Sequence, residues 1–308
     1  MPRAISLHKT SQLGLRETNE DVERFVLNLD AVGRPKKSEY APIDFYVICD
    51  GHGGDQVAKF VAPELEKHLT RPNLIYPLEH RYICKIFSYV QDKLTNHPSR
   101  IASCCGCTAL VLVRYLDKKG RENIQVINIG DCRALLSRDG LAIPLTKDHK
   151  PYWPDERTRI NYVNRKNPSN VREIMYYSGD YRVGDLSVSK SLGDLDNKPQ
   201  VSHLPDSYVY KLHPTDEFII MACDGLWDNI QNHEAVNFVK DHLNNNTDLY
   251  KLSYKFKKKT LYYPSAEIDQ SNNISKKLAH YAIAKGSSDN VSILIIFFKN
   301  KRPVSKTA

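Results

Sequence analysis

Residues 45–54 read FYVICDGHGG and residues 218–228 read FIIMACDGLWD. In both stretches a short run rich in β-branched and aromatic residues ends in Asp-Gly, which predicts a buried strand followed by a turn. The carboxylates at these two strand ends are Asp50 and Asp224, and the glycine after each lets the backbone approach a ligand closely. Carboxylates at the mouths of buried strands are suited to hard cations. The two strand ends therefore predict carboxylates that converge on one metal site.

The composition indicates one large globular unit. The chain has 308 residues, of which 41% are apolar and 26% are charged, as expected of a protein with a sizeable core. No apolar run approaches the roughly 20 residues that cross a bilayer, and residues 1–9 lack the apolar segment of a secretory signal. We therefore expect an intracellular protein, cytoplasmic or nuclear, that is not inserted in a membrane.

The chain has seven cysteines. Their odd number and the placement of several inside apolar runs favour buried thiols over a disulfide framework. Cys104, Cys105 and Cys107 resemble half of a zinc site, but no matching Cys/His pair follows at zinc-site spacing. Zinc is therefore not expected.

The formal net charge of +8 favours anionic partners. The positive charge is spread along the chain except for a lysine cluster at residues 255–259 and a basic tail that begins at residue 299. Tyrosines beside the cluster leave nucleic-acid binding open as an alternative, because aromatic rings among lysines can stack on bases. Solvated loops are the simpler interpretation, and nucleic acid is not the partner we expect.

The pattern of elements favours a mixed α and β fold. Strand-like runs occur at about residues 24–29, 44–50, 107–116, 123–129, 133–138, 218–223 and 291–298. Helical periodicity occurs at about residues 55–69, 77–95, 154–163, 232–244 and 274–285. Asp55 is predicted to cap the first helix. Successive strands joined by short turns favour antiparallel pairing.

One catalytic domain over residues 1–308, with a core at about 10–298, is the simplest organisation, and we expect a monomer. Two regions lack clear periodicity and are predicted to be irregular, at about residues 151–185 and 244–273.

Further carboxylates stand at predicted strand ends. Asp131 closes the run before Cys132, Asp289 precedes the run at 291–298, and the pair Glu20–Asp21 precedes the run at 24–29. Oxygen ligands without paired His or Cys favour Mg²⁺ or Mn²⁺ over zinc. Two such ions about 4 Å apart could make hydroxide available at neutral pH. Arg16 is a candidate to bind a substrate anion, and His52 is a candidate acid for the leaving group.

The order of the motifs resembles that of the metal-dependent Ser/Thr protein phosphatases of the PPM type, also called type 2C. The matching segments are Gly14–Asp21, Asp50–Gly54, Gly106–Ala109, Asn128–Arg133, Asp148–Pro151, Leu186–Asp194, Ala222–Asp228 and Ser288–Ser292. Together they extend over about residues 10–298. The resemblance implies an α+β fold, a four-layer α-β-β-α sandwich of two packed antiparallel sheets flanked by helices.

The resemblance also implies roles for individual residues. Asp50 would bridge two Mg²⁺ or Mn²⁺ ions, with the Gly51 carbonyl on one ion and Asp224 and Asp289 on the other. Glu20 would act through a metal-bound water, while Asp131 and Asp228 match positions linked to a weaker third ion.

The implied reaction is hydrolysis of phosphoserine and phosphothreonine in proteins. A metal-bridging hydroxide would attack directly and form no phosphoenzyme. Arg16 would hold the phosphate, and His52 would protonate the departing oxygen.

The chain departs from the family pattern in three places. Lys190 stands where arginine is usual, so a structural ion pair there is expected to be weaker. The flap at about 151–185 lacks an expected glycine pair, which bears on substrate choice. The Lys/Tyr-rich insert at about 244–273 matches no motif, and neither its role nor that of the basic tail at 299–308 follows from the sequence.

A catalytically silent pseudophosphatase that binds phosphoproteins is the alternative from a different functional class. It predicts damaged ligand positions, whereas Asp50, Gly51, Asp224 and Asp289 are all present. An active phosphatase is therefore the function expected from the sequence.

Overall fold

The computed structural model describes residues 2–27, 29, 42–72, 74–244, 267–268 and 273–299. The predicted insert at 244–273 and the basic tail at 299–308 lie almost wholly outside these residues. The lysine cluster at 255–259 lies outside them as well.

Within the described residues, strands predominate. They are β1 (Ile5–Gln12), β2 (Val22–Val26), β3 (Pro42–Cys49), β4 (Gly51–His52), β5 (Gly106–Cys107), β6 (Ala109–Leu116), β7 (Glu122–Ile129), β8 (Arg133–Arg138), β9 (Leu141–Pro144), β10 (Ile174–Tyr177), β11 (Asp180–Val183), β12 (Leu192–Gly193), β13 (Asp206–Lys211), β14 (Asp216–Ala222), β15 (Glu267–Ile268) and β16 (Val291–Phe298). The helices are α1 (Gln56–Leu69), α2 (His80–Thr95), α3 (Pro154–Lys166), α4 (Asp224–Trp227), α5 (Asn232–Asn244) and α6 (Ile274–Ala284).

Most of these strands belong to two large sheets. One sheet has the order β15-β1-β16-β14-β8-β9, and the other has the order β13-β7-β6-β3-β2. Among the described residues, every pair in these two sheets is antiparallel except β15 with β1, which is parallel. A small sheet, β12-β5-β4, and the hairpin β10-β11 complete the strand pairing.

The alternation along β3 shows how the layers pack. Phe45 and Val47 face the helices α1 and α2, whereas Tyr46 and Ile48 face the core between the two sheets. Because both faces of the strand are covered, the whole run is apolar rather than alternating. The apolar run at residues 45–49 thus marks a strand that is covered on both faces.

The apolar run at residues 218–223 behaves in the same way in the other sheet. Ile219 and Met221 on β14 face the core between the sheets, while Phe218 and Ile220 pack against α4, α5 and α6. The layers therefore run helices, sheet, sheet, helices, and the predicted α+β sandwich is confirmed.

Three local predictions need correction. Asp55 stands at the N-cap position of α1, but its side chain makes no capping hydrogen bond and instead pairs with Lys59 one turn later. The second helix begins at His80 rather than near residue 77. The flap at 151–185 is not irregular, because after α3 it contains the hairpin β10-β11.

None of the helices described combines the length and apolar character needed to cross a membrane.

A buried ion-pair cluster joins the two sheets at one end. Arg114 on β6 contacts Asp44 on β3 through Nη2 at 2.6 Å and Glu122 on β7 through Nη1 at 3.0 Å. It also donates to the carbonyl of Arg3, just before β1 in the other sheet. Removal of one member of a buried charge cluster leaves an uncompensated charge, which is far more costly than loss of an exposed pair.

We expect Arg114→Met to lower the free energy of unfolding by about 3–5 kcal/mol, because Asp44 would stay buried without its cation. Chemical denaturation of purified protein measures the change. Arg121→Met is the matched control, since Arg121 pairs with Asp117 in an exposed turn. Equal losses in the two variants would contradict a structural role for the buried cluster.

Candidate active site

Three carboxylates from separate elements converge at one edge of the sandwich. Asp50 follows β3, Asp131 lies in the turn between β7 and β8, and Asp224 is the first residue of α4 after β14. Each contributes an oxygen that lies within 4.8 Å of an oxygen of the other two. The sheet strands therefore bring together carboxylates that are far apart in sequence.

Burial and mutual repulsion control the protonation of this cluster. The pKa of Asp50 is raised well above its usual value, first by desolvation and then by the charge of Asp224. The pKa of Asp224 is raised well above its usual value by desolvation and by the charges of Asp131 and Asp228. Such a cluster is costly when ionised alone and becomes favourable when a cation neutralises it.

Asp21 adds a fourth carboxylate. Its carboxylate, that of Asp50 and the Cys223 thiol have atoms within 4.8 Å of one another. Burial raises the pKa of Asp21 to about 6. Its Oδ2 is buried and accepts no hydrogen bond from the described residues. An orphaned buried oxygen beside three more carboxylates fits a hard divalent cation, which prefers oxygen ligands.

Asp289 and Arg16 lie together beside the cluster. Arg16 Nη2 is 2.8 Å from Asp289 Oδ2, and the arginine side chain is largely exposed. The charge of Asp289 contributes to the raised pKa values of Asp50, Asp21 and Asp224. Asp289 is thus near the cluster, and its partner Arg16 is the cation at the rim.

Glu20 and Gly51 occupy the neighbouring turn. The Glu20 Oε2 accepts from the Gly54 N–H at 3.0 Å, which directs this side chain toward the loop after β4. Gly51 lies in β4, opposite Cys107 of β5. A Cβ on Gly51 would collide with the Glu20 carbonyl, so glycine permits the close approach of these two segments.

Lys150 supplies a positive charge on the other side of the cluster. Its Nζ lies 2.6 Å from Asp131 Oδ2, and the nearby carboxylates hold the pKa of Lys150 above its usual value despite its burial. The pKa of Asp228 is raised by desolvation, an effect that the Lys150 charge opposes. Lys150 therefore stays protonated and partly offsets the negative charge around it.

His52 is held by a buried carboxylate that the sequence analysis did not single out. Its Nε2 lies 2.8 Å from both oxygens of Asp194, and Asp194 also accepts from the Ser191 hydroxyl. A Cβ on Gly106 would collide with the Asp194 carboxylate and the His52 ring. Glycine at that position therefore allows the pair to form.

Lys190 keeps an ion pair where the family pattern has arginine. Its Nζ is 2.8 Å from Asp206 Oδ1 and 3.9 Å from Glu156 Oε1. The charge is therefore paired, with the main contact to a single oxygen as expected of an ammonium group.

The cysteines match the prediction of thiols. All seven are free, and the possible metal-holding groups found among the described residues do not include Cys104, Cys105 or Cys107.

Asp21, Lys150 and Asp194 were the residues that sequence reasoning did not assign. All three stand inside the segments that carried the family resemblance, at 14–21, 148–151 and 186–194. Asp21 had a further signal, because it directly precedes the strand β2. The contact of Asp194 with His52 spans 142 positions and leaves no local sequence signal.

The sequence matches the family model described as Protein phosphatase 2C over residues 11–291. The chain belongs to the protein phosphatase 2C family. The family predicted from the motifs is therefore confirmed, and with it the predicted class of enzyme at the level of the family.

Individual relatives agree with this assignment. The chain is 58% identical over 187 residues to a PP2C-like domain-containing protein of Acanthamoeba polyphaga mimivirus, an alignment that covers 60% of this chain and all of that protein. It is 29% identical over 258 residues to Protein phosphatase 1E of Mus musculus, covering 83% of this chain but only 30% of the mouse protein. The mouse protein as a whole therefore says little about the partners of this chain.

A solved structure supports the fold. A phosphatase from a pathogenic strain of Toxoplasma gondii superposes with a TM-score of 0.71 at 20% identity, over 97% of this chain and 94% of that chain. At this level of identity the likeness shows a shared protein phosphatase 2C fold.

The raised pKa of Asp21 predicts a pH dependence of stability in the presence of a chelator. The folded pKa of about 6 lies above the usual aspartate value of 3.8, so the folded state binds this proton more tightly than the unfolded state. The associated stability is present below about pH 4 and is lost as the pH rises through about 6. Asp21→Asn removes this titration.

The free energy of unfolding of Asp21→Asn minus that of the wild type should therefore increase between pH 4 and 6, by up to about 3 kcal/mol. With saturating Mn²⁺ the wild type should instead have the larger free energy of unfolding, because it retains the charged oxygen that favours a cation. Urea titrations at several pH values measure both effects. A difference that stays constant from pH 4 to 7 would contradict the placement of Asp21.

Proposed function

We propose that this protein hydrolyses phosphoserine and phosphothreonine esters in proteins with the help of Mg²⁺ or Mn²⁺. The observation that carries the proposal is the convergence of Asp50, Asp131 and Asp224 beside the orphaned oxygen of Asp21. Several desolvated carboxylates close together destabilise a fold, and such clusters of groups with raised pKa values are typical of functional sites. A site for divalent cations accounts for them.

The residues that would hold two ions are Asp50, the Gly51 carbonyl, Asp224 and Asp289. Glu20, Asp131 and Asp228 would act through water or at a weaker third ion. Bound divalent ions would lower the pKa of a water for attack and neutralise charge on the phosphate. Lys150 would keep Asp131 paired and limit the repulsion in the remainder of the cluster.

Arg16 would bind and orient the phosphate. Its guanidinium is exposed at the rim and is already positioned by Asp289. The planar fork of arginine can meet two phosphate oxygens at once, which a lysine cannot do. Arg16 therefore supplies the substrate contact that the carboxylate cluster lacks.

His52 would donate a proton to the leaving seryl or threonyl oxygen. The contact of Nε2 with Asp194 fixes the ring and leaves Nδ1 as the nitrogen available to the substrate. A general acid must reach the leaving oxygen with its proton, and the contact with the buried Asp194 holds the ring in one orientation for that transfer. In this arrangement Asp194 is a positioning residue.

The alternative function is a catalytically silent phosphoprotein-binding module. The intact set of carboxylates, together with the supported His52, favours hydrolysis. We also propose that residues 1–308 act as one catalytic domain and as a monomer within the cell.

Phosphate release from a phosphothreonine peptide tests the proposed function. The purified chain should release phosphate with Mn²⁺ and stop when EDTA is added. Asp224→Asn should lower kcat/KM by about 100-fold or more, because it removes one charged metal ligand. Asp117→Asn, in the turn before β7 and thus at the opposite end of that strand from Asp131, is the matched control and should keep the activity. A folded, Mn²⁺-supplied wild type without phosphate release would instead favour the binding module.

His52→Gln tests the leaving-group role. Loss of a general acid should lower kcat for phosphothreonine peptides by about 100-fold, but kcat for p-nitrophenyl phosphate much less, because a phenolate leaves without a proton. Parallel kinetics on the two substrates give the comparison. Equal losses on both would count against His52 as the acid.

A further inference from the structure

Four aromatic side chains on the flap lie exposed in a continuous row. Tyr176 is 65% exposed, Tyr181 44%, and Tyr152 and Trp153 38% each. The ring centroids are 5.1 Å apart for Tyr176 and Tyr181, 5.8 Å for Tyr181 and Tyr152, and 5.1 Å for Tyr152 and Trp153. These four residues are called the aromatic shelf below.

The geometry of the hairpin explains why the rings form a surface. Ile174 faces Val183 across the strands, and two positions further along Tyr176 faces Tyr181. Residues two apart lie on the same face of a strand. Ile174 and Val183 pack with Ile160 of α3 in a small core, whereas the tyrosine pair continues this face beyond that core. The apolar face of the hairpin is therefore longer than the core beneath it.

The shelf adjoins the carboxylate cluster. Tyr152 follows two residues after Lys150, whose Nζ contacts Asp131 at 2.6 Å. Asp180, next to Tyr181, lies 3.9 Å from the same Nζ. Lys150 thus lies between Asp131 of the proposed catalytic centre and Asp180 of the hairpin. A polypeptide that places a phosphorylated residue at that centre would have neighbouring residues within reach of the shelf, since an extended chain advances about 3.4 Å per residue.

The charges around the shelf define the chemistry of its occupant. Lys147 pairs with Asp155 at 2.7 Å, Arg133 with Asp148 at 2.6 Å, and Lys150 with Asp131. Lys147 also lies over the Trp153 ring, 5.6 Å from its centroid. These cations and carboxylates largely compensate one another, so the shelf offers a charged side chain little attraction. Exposed rings favour an apolar side chain, which removes apolar surface from water on contact.

We propose that the aromatic shelf binds an apolar side chain, aliphatic or aromatic, that flanks the phosphorylated residue of the substrate protein. This inference rests on the proposed function, because the shelf selects among substrates of that same site. It makes phosphoproteins with an apolar residue close to the phosphoserine or phosphothreonine the preferred substrate class. A second copy of this chain seated on the shelf is the competing occupant.

A set of phosphothreonine peptides tests the proposal. Leucine replaces serine singly at each of the three positions before and after the phosphothreonine, and kcat/KM is measured with the full chain and saturating Mn²⁺. At one or more positions the leucine peptide should be preferred by about tenfold, mainly through a lower KM.

Three variants locate the source of the preference. In Tyr176→Ser, the ratio of kcat/KM for the leucine peptide to kcat/KM for the serine peptide should fall to within about twofold of one. Tyr176→Phe retains the ring and should retain the ratio, which separates loss of the aromatic surface from a disturbed hairpin. Tyr162→Ser removes a similarly exposed tyrosine (54%) from α3 outside the shelf, and it should keep the ratio.

Four results would overturn the proposal. They are no preference in the wild type at any position, a preference that survives in Tyr176→Ser, an equal loss in Tyr162→Ser, and a dimer in sedimentation analysis that Tyr176→Ser dissociates. Absence of metal-dependent phosphate release from every peptide and from p-nitrophenyl phosphate would overturn the proposed function itself. Release without a leucine preference would overturn the shelf alone.

Discussion

The crowding of carboxylates at one edge of the sandwich is the constraint on which the rest of the site depends. Asp21, Asp50 and Asp224 are desolvated and have further carboxylates nearby, and both effects raise the pKa of each. A fold tolerates such a cluster only where surrounding structure fixes it and where protons or cations offset the charge. The continuous apolar strands behind it supply the rigid support, and their ends supply the carboxylates. Core and site are therefore built on the same strands.

The cations around the cluster divide into two kinds. Lys150 is buried and pairs with Asp131, so its charge is a permanent part of the site. Arg16 is exposed and pairs with Asp289, so its guanidinium can exchange one anion for another at lower desolvation cost. Because of this difference in burial, Lys150 is suited to stabilising the cluster and Arg16 is suited to binding a substrate phosphate.

Much of the fold was predictable because its main strands are covered on both faces. Such strands appear as short, continuous apolar runs, and Phe45–Cys49 and Phe218–Cys223 were found from that feature alone. The hairpin β10-β11 was not predicted, since its strands are only four residues long and β11 mixes apolar with charged residues. A signal was present nonetheless. Ser178 and Gly179 between the strands both adopt positive φ, and a Ser-Gly pair between tyrosine-rich stretches is a turn signal.

The site was predictable to the extent that its residues belong to strand ends. Asp50 and Asp224 follow directly from the apolar runs, and the metal preference follows from their oxygen ligands. The partners that support the site could not be derived in this way. The contact of Asp194 with His52 and the burial of one Asp21 oxygen are consequences of tertiary packing. Asp55 illustrates the opposite error, in which a good local signal for capping lost to an ion pair with Lys59 one turn away.

Lys190 shows why a departure from a family pattern must be judged by its surroundings. A lysine cannot match the two-pronged geometry of arginine, so a weaker contact was expected. In the structure the neighbouring Glu156 is bound by Arg159 through Nε and Nη2, at 3.0 and 2.7 Å. Lys190 is left to pair with Asp206 at 2.8 Å, a contact with one oxygen that an ammonium group can make fully. Because Arg159 supplies the guanidinium beside Glu156, the position of Lys190 needs a charge for Asp206 but not the planar fork of arginine, and a lysine meets that need.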